Sequence, residues 1–76
     1  MALQVTIKLF GVLRQKNFKE KQCDLPEGST VADVIGMLLL SEQLIGAVVI
    51  NGRHAVTEDL LKNGDELIIL PLMDGG

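Results

Sequence analysis

The run Leu67-Ile68-Ile69-Leu70 is apolar at every position, so both faces of the strand it forms must leave water. Such a strand belongs inside a sheet, covered on each side by another layer or, on one side, by a partner. In a chain of 76 residues, which makes one domain at most, few elements are available to do the covering. Val31, Val34, Ile35, Leu38 and Leu39 recur at i, i+3, i+4, i+7 and i+8, which predicts an amphipathic helix over roughly residues 30 to 40. One helix covers one face of one sheet.

The remaining segments supply the other strands. Leu3-Gln4-Val5-Thr6-Ile7-Lys8-Leu9 alternates apolar and polar residues at period two, a strand with Leu3, Val5, Ile7 and Leu9 on one face. Phe10 through Asn17 breaks the alternation and reads as a loop or a single helical turn. A second strand follows near Phe18 to Leu25. If Cys23 and Leu25 point inward, Lys19 and Lys21 share their parity, as on an edge strand whose charges deter further pairing. Pro26-Glu27-Gly28 is turn chemistry, and Ser29-Thr30 followed by Asp33 supplies a helix N-cap with an acid in the first turn. Gly36 within the helix suggests close packing on the sheet. Ala47-Val48-Val49-Ile50 is a β-branched run, and Asn51-Gly52 after it signals a type I′ hairpin turn with a short return strand from Arg53 to Val56. Thr57 to Leu61 reads as one helical turn and Asn63-Gly64-Asp65 as a tight turn. Pro71 should end the ladder of the last strand.

The order strand, strand, helix, strand, short strand, central strand predicts an α+β roll. A mixed sheet of four to five strands carries one main helix across one face, and a crossover that places the last strand beside the first gives the β-grasp arrangement. Residues 1–70 are expected to form this domain and residues 71–76 a flexible C-terminal tail ending in Gly-Gly.

Composition narrows the function classes. At 47% hydrophobic and 22% charged residues the chain lies outside the disordered regime. Two Phe, no Tyr and no Trp leave little with which to stack bases, and a net charge of −3 disfavours a phosphate backbone, so no nucleic-acid partner is expected. One cysteine excludes an internal disulfide and a multi-cysteine zinc site, which points to the cytoplasm. No apolar run approaches the roughly 18 residues of a membrane span, and Met1-Ala2-Leu3-Gln4 shows no charged region with a hydrophobic block, so neither membrane nor targeting signal is expected. Residues 1 to 23 hold five of the seven basic groups and one acid, whereas residues 24 to 76 hold two basic groups and nine acids. A dipolar surface of this kind favours protein partners.

Residues able to do chemistry are few. His54, just beyond the hairpin turn and without clustered ligands, reads as a solvated turn residue. Cys23 reads as a small inward hydrophobe. Asn51-Gly52-Arg53 is a hairpin without a following helix start, hence no phosphate loop, and Gly64-Asp65-Glu66 lacks the further ligands of a metal site. The end of the sequence differs. Gly75 and Gly76 are either a frayed terminus or, lacking β-carbons, a slim thread able to enter a narrow active-site tunnel. In the second case the terminal carboxylate is the working group. A carboxylate is a poor electrophile, so donation from it requires prior conversion to an acyl-adenylate.

Five segments then fall in order: Leu9-Phe10-Gly11-Val12-Leu13-Arg14, Leu25-Pro26-Glu27-Gly28-Ser29-Thr30-Val31, Val49-Ile50-Asn51-Gly52, Asn63-Gly64-Asp65-Glu66-Leu67 and Gly75-Gly76. Across essentially its whole length the chain resembles the MoaD/ThiS family of ubiquitin-like sulfur carriers, and in length and in its Phe10-to-Arg14 segment it is most similar to the small subunit of molybdopterin synthase. The resemblance implies that a ubiquitin-activating-type enzyme adenylates Gly76 with ATP, that a thiocarboxylate follows, and that the tail delivers sulfur inside the large synthase subunit during molybdenum cofactor biosynthesis. No active site or bound cofactor of the chain's own is implied. Gly76 would be the reacting residue, with Gly75, Phe10, Leu61 and Leu70 at partner-facing positions. Read as residues alone, Leu61 and Leu70 are core candidates first; Phe10, which breaks the strand pattern, is less so. Leu72 and Asp74 depart from the family, whose synthase subunits usually carry a second proline and a small or hydroxylated residue there, and Asp74 implies either a compensating Lys or Arg on the partner or a different member of the activating-enzyme family. Three alternatives stay open: a carrier for thiazole or cysteine synthesis, a ubiquitin-like modifier joined to lysines through Gly76, and a β-grasp interaction module without terminal chemistry.

Overall fold

Alternation in the first strand is what the structure builds upon. In the computed structural model, which describes residues 2–15 and 17–72, β1 (Ala2–Leu9) buries Val5, Ile7 and Leu9 completely and turns Gln4, Thr6 and Lys8 to the opposite face. Four further strands complete a single sheet: β2 (Glu20–Pro26), β3 (Ile45–Ile50), β4 (Arg53–Ala55) and β5 (Glu66–Pro71). Their order across the sheet is β2-β1-β5-β3-β4. β1 and β5 run parallel, with Ile7 beside Leu67 and Leu9 beside Ile69, and the other pairs are antiparallel. This is the mixed β-grasp sheet predicted from element order. β2 pairs with β1 alone among the described residues, so Lys21 sits on an edge strand, as expected, with Lys19 just before the strand begins.

The helix α1 (Val31–Met37) starts where the sequence placed it and ends earlier. Thr30 and Asp33 form a capping box: the Asp33 N–H donates to Thr30 Oγ1 at 3.3 Å, and the Thr30 N–H donates to Asp33 Oδ2 at 2.9 Å. Two more helix-start donors are satisfied from outside, Val31 N–H by the Asp59 carbonyl and Ala32 N–H by the Thr57 carbonyl. For this reason residues 57–61, expected to make a helical turn of their own, remain a non-helical turn. Their carbonyls face the first turn of α1. At the other end Leu39 adopts φ 56°, with Leu39 N–H bonded to the Gly36 carbonyl and Leu40 N–H to the Ile35 carbonyl, the Schellman pattern usually closed by glycine. The helix therefore stops at Met37 although the apolar spacing runs on to Leu39.

Val31, Val34 and Ile35 press onto the covered face of the sheet against Val5, Ile7, Leu9, Val48, Leu67 and Ile69, with Leu13, Leu25 and Leu61 closing the ends. Each side chain so buried contributes roughly 1.5–3 kcal/mol. The hairpin turn is the one foreseen: Asn51 and Gly52 have φ 51° and 82°. Asn51 does more than turn the chain, because its Nδ2 donates to Asp65 Oδ1 at 2.8 Å and its Oδ1 accepts the Glu66 N–H at 2.9 Å. The start of β5 is thereby tied to the turn after β3.

Gly36 does not pack on the sheet. It is exposed, and a β-carbon placed on it meets nothing within 4 Å, so the expectation of close packing there is corrected: the helix lays Val34 and Ile35 on the sheet and leaves Gly36 facing out. Gly36→Ala should therefore stabilise the fold by about 0.5–1 kcal/mol. In urea titration the midpoint should rise with an unchanged slope.

Candidate functional site

Because α1 lies on one face, the opposite face of β5 is left to Ile68 and Leu70, both half-buried where Leu67 and Ile69 are fully covered. Register sets Ile68 between Lys8 of β1 and Val49 of β3, and Leu70 beside Ala47. His54 of β4 lies next to Val49 and is exposed. An apolar strip of Ala47, Val49, Ile68 and Leu70 thus crosses the middle of the sheet, bordered by Lys8 on one side and His54 on the other. Lys8 Nζ lies 3.0 Å from Glu66 Oε2 and 4.0 Å from Glu20 Oε1. The hydrogen bond to Glu66 and then its charge, with a smaller contribution from Glu20, hold the Lys8 ammonium above the ordinary lysine range against partial desolvation.

Phe10 stands where β1 gives way to the 3-10 turn of Gly11–Arg14. It is 36% exposed, with the Arg14 guanidinium 5.3 Å from its ring centre, while Arg14 Nε donates to the Leu9 carbonyl at 2.9 Å. Gly11 abuts Pro71, so Phe10 sits at the end of the sheet from which β5 leaves. Leu70 lies on the uncovered face beside that exit.

Leu61 does not belong to this surface. It is 4% exposed and part of the core, so the partner-facing position carried over to it is corrected. The cause is local: Leu61 N–H donates to the Ser29 carbonyl at 2.9 Å and Leu60 bridges Thr30, which turns Leu61 inward and leaves Leu60 63% exposed. Sequence reasoning missed Ile68 and Val49. Period two within the last strand, with Leu67 and Ile69 inward, would have found Ile68.

The expected boundary of the tail also moves. β5 includes Pro71, which pairs with Ile45, and the Leu72 N–H donates to the Leu44 carbonyl at 2.6 Å. The β1 ladder has already ended at Leu9 beside Ile69, so a residue without an N–H falls where, among the described residues, one side of β5 has no strand. Gly75 and Gly76, the predicted reacting end, lie outside the described residues.

Among the described residues, every buried side-chain polar atom has a hydrogen-bond partner, and no three His, Cys, Asp or Glu residues gather as metal ligands. No helix among them is long and apolar enough to cross a membrane. What the described part offers is an uncovered apolar strip beside the root of the C-terminal segment.

The sequence profile of the ThiS family matches residues 7–76. The chain belongs to the ThiS family. A molybdopterin converting factor subunit 1 from Pyrococcus furiosus, itself named as putative, is 27% identical, covering 93% of this chain and 99% of its own with a TM-score of 0.76. The small archaeal modifier protein 1 of Methanosarcina acetivorans is 26% identical over 100% of this chain and 99% of its own, with a TM-score of 0.69. A structure of subunits 1 and 2 of the molybdopterin-converting factor of Helicobacter pylori shares the fold, at 18% identity over 97% of this chain and 100% of its counterpart with a TM-score of 0.65. Among curated proteins no match to the chain is found. As a ThiS-family protein with the ubiquitin-like fold, the chain is of the sulfur-carrier or modifier type.

Two outcomes check this placement of residues. Leu61→Ala should cost about 2–5 kcal/mol as a core truncation, whereas Leu60→Ser should change stability by less than about 0.5 kcal/mol, both read by urea denaturation. For Lys8, whose folded pKa is raised, the associated stability is fully present below the unfolded lysine value of about 10.4 and disappears as pH climbs through the folded value. Lys8→Met should accordingly flatten the loss of stability at alkaline pH.

Proposed function

We propose that this chain is a sulfur carrier whose Gly76 carboxylate is activated and converted to a thiocarboxylate, and that it serves as the small subunit of a molybdopterin synthase in the cytoplasm. The observation that carries the reading is the continuity of β5: one strand supplies the buried centre of the sheet, the uncovered apolar strip, and the root of the segment that leads to Gly75–Gly76. A partner that grips Ile68 and Leu70 stands beside the point from which the tail departs. Membership of the ThiS family and likeness to a molybdopterin converting factor subunit 1 support the assignment.

In this reading a carboxylate oxygen of Gly76 attacks the α-phosphorus of ATP on an activating enzyme, pyrophosphate leaves, and a mixed anhydride with AMP results. A sulfide-equivalent nucleophile then attacks the carbonyl carbon and AMP departs with the C–O bonding pair, leaving the thiocarboxylate. Gly75 and Gly76 suit a tunnel too narrow for side chains. Phe10, Leu70 and Ile68 contribute docking area to the activating enzyme and then to the large subunit that holds the sulfur acceptor. The chain's own residues move no proton in these steps. Asp74, beside a group that gains negative charge, is answered by a cation on the partner.

A second reading is favoured by the Methanosarcina likeness: the same acyl-adenylate, met by a lysine amine, makes an isopeptide bond and a protein modifier. Incubating the chain with its activating enzyme, ATP and a sulfide source should raise its intact mass by about 16 Da, sulfur replacing one oxygen after AMP is displaced. A mass that never moves sinks the carrier reading, and Gly-Gly remnants of this chain on cellular lysines would favour the modifier. Ile68→Glu should raise KM for the activating enzyme about tenfold or more by charging the centre of the docking strip, with urea stability measured alongside.

A further inference from the structure

We propose that Gly46 is a positioning residue for the C-terminal segment: the space left by its missing β-carbon seats the Pro71–Leu72 backbone against β3 and fixes where the chain leaves the sheet. The inference rests on the carrier reading above and adds to it the part of the body that aims the carboxylate.

Gly46 is not in the left-handed region, so backbone conformation does not call for glycine there. Space does. A β-carbon at Gly46 would lie 2.8 Å from the Pro71 carbonyl oxygen, 2.9 Å from Leu72 Cα and 3.2 Å from Leu72 N. All three are backbone atoms, unable to swing aside as a side-chain tip does, and relaxed contacts between non-bonded carbons need about 3.5–4.0 Å. Gly46 is also where the β3–β5 register shifts, since Ile45 pairs with Pro71 and Ala47 with Leu70. The extra residue bends β3 around the departing strand, and beyond it the Leu72 N–H still reaches the Leu44 carbonyl at 2.6 Å. From the opposite side a β-carbon on Gly11 would come within 3.0 Å of Pro71 Cγ. Pro71 is thus held in a slot between two glycines, with Leu72 pinned just past it.

The seat sets the reach of the tail. Four residues follow Leu72, and even fully extended they carry Gly76 no more than about 14 Å from it. An enzyme holding the sheet by Ile68 and Leu70 must find the carboxylate inside that radius. Releasing Pro71 and Leu72 would add two residues to the segment that must be ordered in the active site, and their backbone entropy corresponds to a loss on the order of thirtyfold in rate.

The test uses full-length Gly46→Ala with the activating enzyme and ATP. Amide hydrogen exchange should show Leu72 losing protection while Val48 and Ile69 keep theirs, and kcat/KM for thiocarboxylate formation should fall about thirtyfold. Versions of wild type and variant that lack Gly75 and Gly76 should bind the enzyme equally well, because the docking strip is untouched. Retained Leu72 protection with a rate within about twofold of wild type overturns the proposal. So does a rate loss matched by weaker binding of the truncated variant, which would make Gly46 merely a shaper of the docking strip. Should the variant fail to fold, wild-type exchange decides: a Leu72 amide that exchanges as fast as an unbonded one overturns the seat, and a protected one supports it. A wild-type chain that is never adenylated defeats the carrier reading, and the exchange comparison still judges the seat.

Discussion

The parallel pairing of β1 with β5 is the interaction on which the rest depends. Ile7 beside Leu67 and Leu9 beside Ile69 put four completely buried side chains at the sheet's centre, joining residues some sixty positions apart in the chain. Parallel neighbours need a crossover connection, and nearly everything between them serves as that crossover. α1 covers the covered face, β3 and β4 extend the sheet past β5, and the segment after β4 returns to cap α1. With the first and last of the five strands paired side by side, the ubiquitin-like roll has its centre built from residues far apart in the chain.

That crossover is closed by polar bonds as well as by burial. The Asp59 carbonyl takes the Val31 N–H and the Thr57 carbonyl the Ala32 N–H, and the Leu61 N–H returns a bond to the Ser29 carbonyl. A helix as short as α1 leaves a large share of its N–H groups without partners inside itself, so its stability depends on such external acceptors. The same bonds turn Leu61 into the core and Leu60 out of it. One local exchange of hydrogen bonds therefore both caps the helix and decides which of two adjacent leucines is exposed.

Much of this was legible in the residues. Strict alternation gave β1, apolar spacing together with Thr30 and Asp33 gave the start of α1, and Asn51-Gly52 gave the hairpin, because each signal is local and answers to one conformational preference. The errors came where a distant group settled the matter. Residues 57–61 contain helix-compatible side chains, yet their carbonyls are claimed by α1. The spacing through Leu39 continues the helical period, yet Leu39 turns left-handed and the helix is already over. For the candidate site, Leu70 and the apolar double face of β5 could be read directly. Leu61 could not be sorted from Leu60, since adjacent leucines in a turn have no period to separate them.

β5 has three duties that depend on a single register. Leu67 and Ile69 fill the core, Ile68 and Leu70 form the uncovered strip, and Pro71–Leu72 lead into the C-terminal segment. A slip of one residue would exchange the first two sets and shift the tail's root by about 3.3 Å. Apolar side chains alone oppose this weakly, because Leu67 to Leu70 are near-equivalent in size and hydrophobicity. Directional bonds at the two ends do what hydrophobicity cannot. At the start, Asn51 holds both the Asp65 carboxylate and the Glu66 N–H. At the finish, the bulge at Gly46 admits the Pro71–Leu72 backbone and Leu44 takes the last N–H. A strand that fills the core with one face, leaves the other uncovered and leads into the C-terminal segment is thus locked where its own sequence is least able to choose.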